Sequence, residues 1–477
     1  MERRLLTITA LFLFIISSGQ QGALEKMISD SSMIHASVSF CLMNSQTGDI
    51  VKEFNSSKSY SQASVMKLVT SAAAIEKLGP DYTFKTTVGY RGEIRSGVLH
   101  GDIIIKAGGD PVLGSRRFPE YYGTLFDDWV RALKETGIKK IAGNIITDDS
   151  YYDYYPVPPG WNWEDIGNYY GAGVYGLSLL DNTLILHFRT GETGSFPVLT
   201  AADPPGAGIV YENRLTAAGT TDNGYVYAAP YSNRGWITGQ IPVNKTDFEL
   251  KASIPDPPAL AARMLRDNLT RDGIKVKGNA IPSRLMIEKK IEDYVPVVTI
   301  SSPPLKEIIR MLNHESVNLY AETLIKELGK VYRGAGSTDS GKLVVNEFLD
   351  SLGVETSGMF IEDGSGLSPQ NALSSGSLCS LLYLMKKKGK YFNEFFNSLP
   401  EAGKNGTLKN VFRDPVFEGA MRAKSGTILR VKSYAGYITT KSGKELIFCI
   451  IVNNFTAPSS KLIAAIEDLL KEVILYE

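Results

Sequence analysis

Histidine is scarce in this chain: His35, His100, His187 and His314 are the only four among 477 residues. Scattered this widely, they form no ligand cluster, so neither a metal nor a cofactor is expected. If the chain is an enzyme, its protons move on lysine or carboxylates. Cysteine is scarcer still. Cys41, Cys379 and Cys449 are an odd number and give no disulfide framework. Cys41 and Cys449 lie in apolar, strand-like runs, where a thiol is a small filler. Net charge is absent, with 51 basic residues balancing 51 acidic ones. No global field draws such a chain onto nucleic acid or an anionic membrane. Long apolar runs are also missing, apart from Leu5 to Ile16. That run is short of the ~20 residues a bilayer span needs. With Glu2-Arg3-Arg4 before it and Ser17-Ser18-Gly19 after it, it reads as a secretory signal over residues 1–19. No cysteine follows, so a lipoprotein cut is not expected. The mature protein is expected to be exported, periplasmic or extracellular, with no membrane span; peripheral attachment to a membrane is left open.

What is present is an ordinary soluble composition, 43% apolar and 21% charged. The length suits about three domains, or one large domain with insertions. Two strands are expected around the turn Gln46-Thr47-Gly48-Asp49, then a helix from Ser64 to Leu78 stopped by Gly79-Pro80. From about 83 to 165 the text turns to short strands, and from 151 to 252 it is rich in Tyr, Gly and Pro. Helical text returns at Ser302-Pro303-Pro304, with Ser as cap and Pro in the first turn. Leu305, Ile308, Ile309 and Leu312 then make one apolar face. A second helix is expected over Leu319 to Leu328, ended by Gly329. Near the end, Tyr434 to Thr439 and Leu446 to Val452 flank a charged turn, and a last helix follows Pro458. Mixed α/β text at both ends thus brackets a β-rich middle too long to be a loop. This favours one domain split by a large insertion, its first strands pairing with its last.

Three short motifs carry the chemistry. Ser64-Val65-Met66-Lys67 opens a helix, and i, i+3 spacing sets both side chains on one face. A serine hydroxyl needs a base beside it to attack a carbonyl, and a lysine serves once burial lowers its pKa. Alone, such a pair is more often a cap and a solvated charge. Ser316-Val317-Asn318 lies between the two central helices, where a hydroxyl and an amide can both face a cleft, or simply serve the turn. Lys424-Ser425-Gly426-Thr427 offers a fixed charge, two hydroxyls and a glycine that lets a substrate approach the backbone. Its first three letters recur at Lys441-Ser442-Gly443, which reads as a hairpin turn, so the tripeptide alone decides nothing.

In this order the three form the serine–lysine acyl-transfer set. The chain resembles the D-alanyl-D-alanine carboxypeptidase/endopeptidase family, the low-molecular-mass class C penicillin-binding proteins of peptidase family S13. Further stretches like that family are Lys106 to Pro111, Asp148-Asp149-Ser150, Pro159 to Trp163, Asn318 to Glu322, Asp363 to Ser368 and Gly406-Thr407-Leu408. The resemblance implies an α/β fold: a penicillin-binding-protein/serine β-lactamase-like transpeptidase domain, an antiparallel sheet flanked by helices, with two nested β-rich inserted domains. The separation of 252 positions from Ser64 to Ser316 leaves room for them. The expected layout is a catalytic domain over 24–82 and 296–477, an outer insert over 83–165 and 252–295, and a nested insert over 166–251.

The resemblance further implies a Ser64 acyl-enzyme with Lys67 as base. Ser316 and Lys424 would pass a proton to the leaving amine, and Asn318 would position the substrate amide. Ser425, Gly426 and Thr427 would bind the substrate's carboxylate end, and the Ser64 and Thr427 N–H groups would form the oxyanion hole. Asp149 is a further candidate, for the stem peptide's amino group. Peptidoglycan peptides would be the substrate and β-lactams covalent inhibitors, with no nucleic acid partner; a homodimer is left open. Three positions depart from the family's usual text: Ser425 for Thr, Val317 for Asp and Pro369 for Arg. The alternatives are a β-lactamase or esterase on the same domain, or a non-catalytic wall-binding protein.

Overall fold

The structure, a computed structural model, describes residues 22–477. The expected signal over 1–19 lies outside the described residues. The first and last strands of the chain lie side by side. Ser37–Asn44 pairs antiparallel with Glu445–Asn453 along its whole length, inside a five-stranded antiparallel sheet. Ile50–Phe54 forms one edge and Met421–Ile428 the other, with Val431–Thr439 between that edge and Glu445–Asn453.

The apolar runs that build these strands are continuous because both faces of the sheet are covered. Alternate side chains go to opposite faces. Cys41, Met43, Cys449 and Ile451 join the core beneath the Lys67–Leu78 helix. Phe40, Leu42, Phe448 and Ile450 join a separate core with the helix Ser459–Tyr476. The three cysteines are buried and free, as fillers would be.

The middle of the chain forms two further layers of insertion. Lys85–Arg95, Val98–Lys106, Ile145–Asp148 and Val295–Ser301 belong to one mixed sheet, which also takes parallel pairings such as Ile103 with Ile145. Because Val295–Ser301 pairs with Lys85–Arg95, this outer sheet runs past the end expected at 295. It is also less purely β than its text suggested. The helices Leu125–Glu135 and Pro257–Arg271 accompany it, burying Trp129, Leu133, Leu260 and Leu265. Within the sequence of this sheet sit two three-stranded sheets. One holds Val210–Ala217, Arg234–Ile241 and Asn223–Ala228; the other holds Phe248–Ser253, Thr183–Arg189 and Val198–Asp203. Among the described residues no helix is long and apolar enough to cross a membrane.

Two helix boundaries differ from the sequence reading. Ser302 is no cap: the helix is Leu305–Glu315, capped at Pro304. The Ser302 hydroxyl instead accepts from the Phe84 N–H at 3.0 Å, tying the exit of the insertion to its entry. Gly329 does not end the next helix, which runs Asn318–Arg333 and stops at Gly334 in the left-handed region. Gly329 is there for close packing, since a Cβ would sit 2.8 Å from the Gly341 nitrogen. Gly341 in turn would place a Cβ 2.0 Å from the Ile325 carbonyl oxygen. The helix that carries Asn318 is therefore seated on Thr338–Leu352 by a pair of glycines. Gly341→Ala should wedge the two apart and cost ~1–3 kcal/mol, the usual cost of overpacking, read as a lower midpoint in denaturant.

Candidate active site

Ser64 sits on the 3-10 turn Ala63–Met66 that leads into Lys67–Leu78. Ala63 before it has φ 49°, a conformation that a side chain rarely adopts and that marks functional turns. Val65 and Met66 are fully buried and anchor the turn, leaving Ser64 partly exposed in a cleft of about 940 Å³. Lys67, one helical turn on, points inward. Its Nζ donates to Ser64 Oγ at 3.0 Å, to Asn318 Oδ1 at 2.6 Å and to the Ser365 carbonyl at 2.7 Å.

Ser316 ends the Leu305–Glu315 helix in the left-handed region, with φ 56° and ψ 40°, and Asn318 opens the next. The sharp reversal turns both side chains into the cleft. Lys424 Nζ donates to Ser316 Oγ at 2.9 Å and to the Ser425 carbonyl at 2.8 Å. The structure thus brings Ser64, Lys67, Ser316, Asn318 and Lys424 together from three separate stretches of chain.

Burial sets the electrostatics. Lys67 is fully buried, and loss of water brings its ammonium pKa down to about 7, against an opposing pull from Asp363 and Glu322. Lys424 is lowered too, by burial first and then by the charge of Lys67. Lys67 can therefore exchange a proton with the Ser64 hydroxyl near neutral pH without histidine.

The third motif lies on the edge strand Met421–Ile428, with Thr427 exposed in the cleft. Ser425 Oγ donates to Thr407 Oγ1 at 2.7 Å, and Lys432 Nζ donates to Thr427 Oγ1 at 2.7 Å. Gly426 is needed for a different reason from the one its motif suggests. A Cβ there would meet Ser433 Oγ at 2.2 Å, Gln62 O at 2.6 Å and Ser64 N at 3.1 Å. It opens no room to a substrate; it lets the strand press against the turn that bears Ser64. Asp149 does not join this group. It is buried, and its carboxylate accepts from Ser283, the Arg284 N–H and the Arg284 guanidinium at 3.0–3.2 Å.

Sequence reasoning missed several participants. Glu322 accepts from the N–H groups of Gly364 and Ser365, and burial followed by the charge of Asp363 raises its pKa. Its signal was available: Asn318 and Glu322 stand four apart on one helix. Lys432 and the Tyr170 carbonyl, which accepts from Asn318 Nδ2 at 2.7 Å, had none.

With this geometry, a match to the D-Ala-D-Ala carboxypeptidase 3 (S13) family over residues 20–473 is decisive. The chain belongs to this family. It is a serine-type carboxypeptidase, a hydrolase. The D-alanyl-D-alanine carboxypeptidase of Actinomadura sp. (strain R39) is 28% identical over 461 residues, covering 91% of this chain and 81% of that protein. The D-alanyl-D-alanine carboxypeptidase DacB of Haemophilus influenzae is 25% identical over 440 residues, covering 88% and 86%. The S13 fold is shared with penicillin binding protein 4 of H. influenzae, at a TM-score of 0.80 over 92% of this chain and 97% of that one, with 22% identity. That protein is also solved in complex with a β-lactam.

Gly426→Ala should displace the turn carrying Ser64. A shift of about 1 Å at a reacting group costs on the order of a hundredfold in rate. The carboxypeptidase rate, measured against the wild type, should fall by about that factor.

Proposed function

We propose that this enzyme cleaves the terminal D-Ala-D-Ala bond of peptidoglycan stem peptides, and D-alanyl cross-links, through an acyl-enzyme on Ser64. The contact between Lys67 and Ser64 Oγ, with the amine brought near neutrality by burial, carries this reading. Ser64 Oγ gives its proton to Lys67 Nζ and attacks the carbonyl carbon. The Ser64 and Thr427 N–H groups receive the oxygen's developing charge. As the C–N bond breaks, Ser316 passes a proton to the departing amine and is resupplied by Lys424. The proton taken from Ser64 passes from Lys67 back to Lys424, which leaves the Lys67 amine free again. Water then attacks the ester carbonyl, giving a proton to Lys67, which hands it to Ser64 Oγ as the ester C–O bond breaks, and the shortened peptide leaves as a carboxylate.

On its outer side the edge strand is bonded to Pro400 and Ala402 at Ala423 and Met421. Beyond Lys424 no further strand pairs with it among the described residues, so its C-terminal end suits an extended peptide. Asn318 offers the substrate's amide carbonyl its second Nδ2 hydrogen, the first being donated to the Tyr170 carbonyl. Ser425 and Thr427, with Lys432 behind Thr427, meet the carboxylate of the terminal D-alanine. β-Lactams acylate Ser64 in the same way and leave slowly. Export through the 1–19 signal brings the enzyme to this substrate.

Labelled penicillin should mark the wild type and fail to mark Ser64→Ala; equal labelling of both would refute the acyl-enzyme. Lys67 acts as its free base, whose share grows as pH rises through about 7. The acylation rate should therefore climb about tenfold per pH unit below that point and level off above it. A flat profile between pH 5 and 8 would remove Lys67 as the base. Mass spectrometry of purified muropeptides before and after incubation should show loss of terminal D-alanine and of cross-linked dimers.

A further inference from the structure

Beside the cleft, the nested insert exposes a run of aromatic rings. In the sheet of Val210–Ala217, Arg234–Ile241 and Asn223–Ala228, Leu215, Val226 and Ile237 are fully buried, so the two-residue period turns Tyr225, Tyr227 and Trp236 outward. Tyr227 and Trp236 are cross-strand partners stacked at 5.2 Å and 6°. Trp163, 46% exposed, tilts over both at 6.1–6.3 Å. The segment that carries it lies directly on the strand, because Gly167 would place a Cβ 2.0 Å from the Val226 carbonyl oxygen.

A stacked cross-strand pair stabilises a sheet. It does not require a third, half-exposed tryptophan held over it. The rings also lead somewhere. Tyr225 and Tyr169 line both the catalytic cleft and an adjoining cavity of about 320 Å³, whose rim carries Asp222, Asn223, Glu249 and Lys251. Tyr169 meets Tyr170 edge-on at 5.5 Å, and the Tyr170 carbonyl holds Asn318. Flat rings edged with carboxylates and an amide match a pyranose, which has an apolar C–H face and a rim of hydroxyls.

We propose that this face binds the amino-sugar backbone of peptidoglycan while the cleft holds the stem peptide. The inference rests on the proposed substrate, and continuity of the rings with the cleft favours a glycan over another partner. A stem peptide of five residues spans at most about 17 Å, so the glycan that bears it must pass close to the cleft wall.

The test uses glycan without peptide: β-1,4-linked N-acetylglucosamine oligomers, and glycan strands stripped of stem peptides, titrated by calorimetry. The wild type and Ser64→Ala should bind them alike. Trp163→Ala and Trp236→Ala should each weaken binding by about fivefold or more, and Trp163→Phe should restore most of it. Penicillin labelling of every tryptophan variant reports whether its catalytic half is folded. No binding by the wild type, equal binding by both alanine variants, or binding of phospholipid vesicles in place of glycan overturns the proposal. Labelling without glycan binding sinks this inference alone; glycan binding without labelling sinks the acyl-enzyme and leaves the glycan site standing.

Discussion

The site depends on the burial of one amine. A lysine in water stays charged at neutral pH and accepts no proton. Lys67 is fully enclosed, which disfavours its ammonium form. Full desolvation with no compensation would be costly, so the protein supplies partners to the amine: Ser64 Oγ, Asn318 Oδ1 and the Ser365 carbonyl. The carboxylates of Asp363 and Glu322 stand close enough to pull the other way. The balance leaves the amine near neutrality, where a base is most useful.

Much of the surrounding structure maintains that enclosure. Asp363 accepts from the N–H groups of Gly366 and Ser368 and from Asn371 Nδ2, each at 2.7 Å, and so fixes the loop that offers the Ser365 carbonyl. Gly366 lies against Ala63 so closely that a Cβ would stand 1.9 Å from its carbonyl oxygen. Gly426 presses on the same turn from the other side. The strained Ala63 is thus held between two glycines, and Ser64 follows from it.

The sequence made the catalytic half legible because its signals are local. Ser64-Val65-Met66-Lys67 carries its own geometry in its spacing, and the Leu446 to Val452 run declares a strand covered on both faces. Order and separation of the three motifs then implied a long insertion. What was not legible depends on contacts across hundreds of residues. Gly426 looked like an opening to substrate because nothing near it in sequence reveals Gln62 and Ser64 behind it. Asp149 looked available because its partner Arg284 lies 135 residues away. Ser302 looked like a cap because its bond to Phe84 spans the whole insertion.

That insertion is more than a passenger. It enters after Phe84 and returns at Ser302, close to the helix that delivers Ser316. From there it grips the adjoining helix at several points. Tyr151 and Tyr152 donate to Glu327 at 3.0 and 2.6 Å, and Lys326 donates to Asp153 at 2.7 Å. Trp161 Nε1 donates to Asp363 at 2.8 Å, reaching the loop that caps Lys67. The Tyr170 carbonyl takes the remaining end of Asn318, whose oxygen already holds Lys67. An amide fixed at both ends has no freedom to flip, so the insert determines which end of Asn318 faces the lysine. An inserted module that contributed only bulk would need none of these bonds. Two of them, at Asn318 and Asp363, tie the insert to the residues that hold and enclose Lys67.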